Sequence, residues 1–166
     1  MKSKMILKLR VQYIWINGNH IWKILRLLQI KNVLFQKDYW SIIGSHDGYL
    51  KKYGIIHERK IEFYPKFYKF IGKDKIIKKK NFKSTNFEIR FHFEPGTKIS
   101  KTQDNKSILI EIENSGWRFF ADNHSIDIET GLYFGKKNSF VENQNIFISG
   151  ITRNEEQIIQ WEIKKI

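Results

Sequence analysis

The sequence predicts an all-β fold, an antiparallel β-sandwich, and three observations carry that prediction. Apolar and polar residues alternate with period 2 from about residue 55 onward. Clusters of Gly, Asn and Asp interrupt the alternation at spacings close to those of sandwich turns. The apolar positions are mostly β-branched or aromatic, the side chains that pack well on a pleated surface. A chain of 166 residues, 41% hydrophobic and 15% aromatic, is long enough for one domain with a true core and too apolar for a disordered segment.

Phe87–Glu94 is the clearest strand: its odd positions are apolar and its even positions polar or charged, so one face is core and the other solvent or cleft. The pattern recurs at Ile108–Glu113, Trp117–Phe119, Ile126–Glu129, Ile146–Ser149 and Ile159–Ile163. Turn signals fall between them at Pro95-Gly96, Asp104-Asn105, Asn114-Ser115-Gly116, Asp122-Asn123 and Lys136-Lys137-Asn138. The stretch 21–34 mixes helical and extended spacing and is read as extended. Residues 1–20 are expected to be irregular or an edge strand, and 21–166 to form the sandwich. Trp117, Phe119, Phe147 and Trp161 are expected in the core.

The formal net charge is +13, and it is uneven: residues 1–80 hold 19 Lys/Arg against 5 Asp/Glu, whereas 81–166 hold 11 against 12. Such a field attracts polyanions without telling one kind from another. Abundant Lys, Ile and Asn beside a single alanine, Ala121, also look like the bias of an AT-rich genome. The lysines from Lys73 to Lys80 read as a solvated hairpin or loop rather than a binding stripe. Nucleic-acid binding rests on charge alone, since no RNP-like string, helix-turn-helix or zinc module is present. With no cysteine, disulfides and thiolate metal sites are excluded. No signal peptide or membrane-spanning run is seen.

Two segments stand out for their side chains. In Gly44-Ser45-His46-Asp47-Gly48-Tyr49, one reading is a turn in which Asp47 caps backbone N–H groups, Gly48 supplies a positive φ and Tyr49 anchors the next strand. His57 and Arg59 share a strand face by parity, as do Arg90, His92 and Glu94. Either face suits solvent, another domain or a ligand, and the histidine spacing matches no defensible metal motif. No metal and no cofactor are expected.

His46-Asp47-Gly48-Tyr49 followed by His57-Glu58-Arg59 resembles a paired signature of the heparinase II/III-like family, a His-Asp-Gly-Tyr turn and then a His-Arg-Arg strand. Glu58 departs from it. Arg90-Phe91-His92 with Pro95-Gly96, Gly116-Trp117-Arg118-Phe119, Ile128-Glu129 with Leu132-Tyr133-Phe134-Gly135, and Ile146–Gly150 are similar to further family strings in the same order. Upstream, Ile21-Trp22-Lys23 and Arg26 are similar to a Val-Trp-x-x-Phe-Arg stretch.

That resemblance implies the C-terminal β-sandwich of a polysaccharide lyase that cleaves uronic-acid polymers by β-elimination. The reaction needs a base for the proton α to the carboxylate, an acid for the leaving oxygen and a clamp for the enolate-like charge. The family's main catalytic tyrosine and histidine lie in an α/α-toroid domain and in earlier strands carrying a His-Gly-His-x-Asp-like string. The histidines here, at 20, 46, 57, 92 and 124, include no His-x-His pair. The expectation is therefore a catalytically incomplete domain with no catalytic residue of its own, or a non-catalytic module binding acidic polysaccharide. Its partners would be that polysaccharide and a separate or missing toroid, and a partial or split gene is a further reading. His46, Tyr49, His57, Arg59, Arg90 and His92 are the candidate glycan contacts, and the family resemblance implies the cell envelope or periplasm.

Overall fold

The computed structural model describes residues 10–15, 29–112, 114–136, 139–153 and 155–166. They form two antiparallel sheets. The larger one, in spatial order, contains β2 (Gln29–Phe35), β3 (Trp40–His46), β4 (Ile55–Tyr64), β5 (Lys69–Lys78), β12 (Glu156–Lys165), β9 (Ser115–Ala121), β8 (Ser107–Ile112) and β7 (Lys98–Lys101). The smaller one runs β1 (Arg10–Trp15), β6 (Asn86–His92), β11 (Ser139–Ile151) and β10 (Ile126–Lys136). One short helix, α1 (Leu50–Tyr53), links β3 to β4, and a 3₁₀ turn at Pro65–Phe67 links β4 to β5. Among the described residues no helix is long and apolar enough to cross a membrane.

Alternation decides which face each strand buries. Phe87, Ile89 and Phe91 of β6 and Ile146 and Ile148 of β11 point at the larger sheet, where Ile108, Ile110, Trp117, Phe119, Ile159, Trp161 and Ile163 meet them. The contact between layers is aromatic: the Phe91 ring stands edge-on to Phe119 at 4.8 Å and to Trp161 at 5.0 Å, a geometry the ring quadrupoles favour.

The expected turns use the left-handed conformation where the sequence offers it. Asn105, Asn114 and Asn123 have φ of 56°, 61° and 52°, and Gly96 has 86°, values that Asn and Gly tolerate best. In the His46–Tyr49 turn the freedom lies elsewhere than expected. Gly48 is not among the positive-φ residues; Gly54, at 66°, ends α1. The N–H of Leu50 is taken by the Asp47 carbonyl, and α1 has no side-chain cap.

Two further expectations are corrected. Lys73, Lys75 and Lys78 belong to β5, and only Lys79 and Lys80 of that run lie in the exposed connection after it. In that strand Phe70, Gly72, Asp74 and Ile76 point inward, so a glycine and an aspartate at core positions break the apolar rhythm. Phe147 lies on the outer face of β11, under the Arg90 guanidinium. Residues 29–35 are extended as expected; 21–28 lie outside the described residues, as do 1–9 and His20.

Candidate functional site

The inward face of β4 carries His57 and Arg59, and the register sets what they meet. His46 of β3 is directly opposite His57, and Asp74 of β5 directly opposite Arg59. Trp161 of β12 lies two pairs along from Asp74, across from Gly72. Five side chains from four neighbouring strands thus converge between the sheets.

Asp74 is the hub. Its carboxylate, 0% exposed, accepts from His57 Nε2 at 2.6 Å and Arg59 Nε at 2.5 Å on Oδ1, and from Trp161 Nε1 at 2.7 Å on Oδ2. Burial alone would raise its pKa, but the Arg59 charge and the His57 hydrogen bond outweigh it and hold the carboxyl well below the usual carboxylate range. Arg59 lies 5.4 Å over the Phe91 ring and 5.7 Å from the Trp161 ring, so it is clasped by both sheets through cation–π contact.

The chain of rings continues outward. His57 Nδ1 lies 3.3 Å from His46 Nε2. With His57 Nε2 turned to Asp74 and His57 Nδ1 to His46 Nε2, the outer end of the chain is His46 Nδ1. That atom is buried and has no hydrogen-bond partner, as is Arg59 Nη1. Burial, then His57, lower the His46 pKa to about 4; Asp47 opposes them, and Arg59 adds a smaller lowering effect. Tyr49 packs 5.0 Å from the His46 ring and is 1% exposed, so it belongs to the core behind the turn.

Arg90 and His92 are not brought to this cluster. They sit on the outer face of β6, in the other sheet. Arg90 contacts two carboxylates, Glu88 and Glu129, and stacks 5.4 Å over Phe147. A guanidinium shared by two carboxylates offers no net positive charge to a third. His92 Nδ1 lies 3.0 Å from Asn145 Oδ1, and Asn143 donates to that same oxygen and to the Phe93 carbonyl. The His92 pKa is lowered by burial and the nearby Arg90 charge, partly offset by the Asn145 hydrogen bond. A Cβ at Gly131, across from Asn143, would stand 2.1 Å from Asn145 Nδ2. Glycine there makes room for the asparagine.

Parity correctly pairs His57 with Arg59, but sequence reasoning misses Asp74 and the indole N–H. The available signal is the inward series Phe70, Gly72, Asp74, Ile76, in which one carboxylate occupies a core position. Chemically, the cluster is a closed set of partners around the Asp74 carboxylate. Its terminal nitrogen is buried, and its acid, base and cation are mutually engaged. Among the described residues no group of three His, Asp or Glu is placed to hold a metal ion.

Against the curated proteins the sequence finds no match. Solved structures do match. A heparan sulfate lyase, HepC from Pedobacter heparinus, superposes with a TM-score of 0.68 at 11% identity, covering 83% of this chain and 21% of the other. A heparinase III superposes with a TM-score of 0.67 at 13% identity, covering 84% and 21%. At these identities the likeness establishes the fold, and the chain spans 21% of the length of these structures. The family model described as heparinase II/III-like, C-terminal, matches residues 17–162. The chain therefore belongs to the heparinase II/III-like family, in its C-terminal β-sandwich region.

Proposed function

We propose that this chain is the β-sandwich part of a polysaccharide lyase acting on uronic-acid polymers by β-elimination, and that alone it is catalytically incomplete. The observation that carries the second half is the locked state of its titratable groups. Asp74 is saturated by three donors, His57 is engaged at both nitrogens, and His46 Nδ1 is buried. Abstracting a proton α to a carboxylate requires a base within hydrogen-bond reach of substrate, with an acid and a charge clamp beside it. In this reading the Asp74 cluster is a brace that fixes β3, β4, β5 and β12 as one wall of a glycan cleft. The remaining parts come from a toroid-type partner in the cell envelope or periplasm.

The parent chain is tested on two points. Incubated with polygalacturonate or heparan sulfate, it is expected to give no rise in absorbance at 232 nm, where the unsaturated product of elimination absorbs. It is expected to retain the carboxylated polymer but not its carboxyl-reduced counterpart. Sustained turnover overturns the incompleteness, and carboxylate-independent binding overturns the substrate class. Retention without turnover also suits a stand-alone binding module, and addition of a toroid domain separates the two by restoring turnover only for a lyase part.

A further inference from the structure

We propose that the end of the sandwich bearing α1 is a binding surface for an acidic polysaccharide chain, separate from the Asp74 cluster and independent of catalysis; the choice of glycan rests on the reading above. Three segments meet there. The N–H of Lys79 donates to the Gly54 carbonyl at 2.8 Å and the N–H of Lys78 to the Glu155 carbonyl at 2.7 Å, while Thr152 N–H donates to Thr85 at 3.0 Å. A Cβ on Gly54 would overlap the Phe82 ring, so the loop after β5 lies directly on the end of α1. These contacts bring Lys51 and Lys52 of α1, Lys79, Lys80 and Lys83 of the β5–β6 connection, and Arg153 of the β11–β12 connection to one end of the molecule, all exposed.

The charge there is largely uncompensated. Glu155 reaches Lys80 at 3.5 Å, Glu156 is taken by Lys75, and Asp47 borders the helix. Along the strands lysines instead stand beside carboxylates, as in Lys31–Glu58, Lys60–Glu62, Lys69–Glu162, Lys98–Glu111 and Lys101–Asp127. A cluster of like charges raises the local potential and the concentration of a polyanion in a way that scattered pairs do not.

The surface suits a glycan better than nucleic acid. A helix of four residues cannot enter a groove. The one exposed aromatic ring among these segments, Phe82, leans on Gly54, so no row of faces is offered to stacked bases. Lysines act as point charges, which fits carboxylates or sulfates repeating along a flexible chain.

The test compares two fourfold variants of equal charge change. One carries Lys51→Ser, Lys52→Ser, Lys79→Ser and Lys83→Ser; the other carries Lys60→Ser, Lys69→Ser, Lys98→Ser and Lys101→Ser. Dissociation constants for polygalacturonate, heparin and double-stranded DNA are measured at two salt concentrations, with thermal melts confirming that both variants fold. The first variant is expected to bind either glycan on the order of tenfold more weakly and to show a flatter salt dependence, while the second stays close to the parent. Equal losses in both variants reduce the effect to net charge, and unchanged binding in the first removes the surface; either result overturns the proposal. Tighter binding of DNA than of both glycans overturns the assigned partner. Carboxylate dependence and turnover are read on the parent alone, so the proposed function and this surface can fail separately.

Discussion

Gly72 and Trp161 face each other across the β5–β12 pairing, and the indole fills the space a side chain at 72 would take: a Cβ there would lie 2.0 Å from Trp161 Cε2. The glycine is needed for close approach and not for backbone conformation. Gly72→Ala should therefore push the indole off Asp74 and cost roughly 1–3 kcal/mol or more by overpacking. Equilibrium urea unfolding measures the loss; a neutral result would mean that the indole has another place to go.

Asp74→Asn is nearly isosteric but removes the charge facing Arg59 and turns an N–H₂ group towards one of its three donors. Breaking a buried pair by removing one partner costs on the order of 3–5 kcal/mol. Trp161→Phe, which leaves Oδ2 without its donor and trims the packing, should cost about 1–3 kcal/mol. Combined, the two should cost less than their sum because they disable one network. Strict additivity in a double-mutant cycle would contradict the hub role of Asp74.

Acid should weaken the fold in two stages. His46 falls from 6.5 in the unfolded chain to about 4 in the folded one, and His92 shifts in the same direction. Between those values the unfolded chain binds more protons, so stability drops as pH falls from about 6.5 towards 4. Asp74, whose folded pKa lies below its ordinary 3.8, adds a further loss below that pH by the same sign. His46→Gln should flatten the first stage and leave the second, as measured by unfolding free energy against pH at fixed ionic strength.

Arg90→Lys should destabilise by about 1–2 kcal/mol, since a point charge cannot serve Glu88 and Glu129 while stacking on Phe147. It should leave binding of polygalacturonate unchanged, because that guanidinium is already neutralised. A marked loss of affinity at unchanged stability would restore Arg90 as a glycan contact.

The sandwich was legible wherever one strand face is apolar and the other polar. Phe87–His92 and the described parts of the alternating runs after it lie in strands of the structure, while Phe93 and Glu94 fall just past the end of β6. β5 was not, because its buried series includes Gly72 and Asp74, and the lysines between them resemble a solvated loop. For the site, parity paired His57 with Arg59 but could not show that their face is interior. Polar residues at alternate positions normally mark the wet side. Only the register, with Asp74 opposite Arg59 and His46 opposite His57, reveals that these polar groups satisfy one another.

The place of β12 has a consequence for how the chain is made. The last strand in sequence lies in the middle of the larger sheet, between β5 and β9, and supplies the indole that completes the Asp74 hub. Until it has left the ribosome, β2 to β5 and β7 to β9 are two half-sheets, each with a raw inner edge open to wrong pairing. Completion of the larger sheet therefore waits on the emergence of β12 and is dominated by distant contacts, the slow regime for β proteins. A nascent chain stalled before residue 156 should be a far better chaperone client than the finished one.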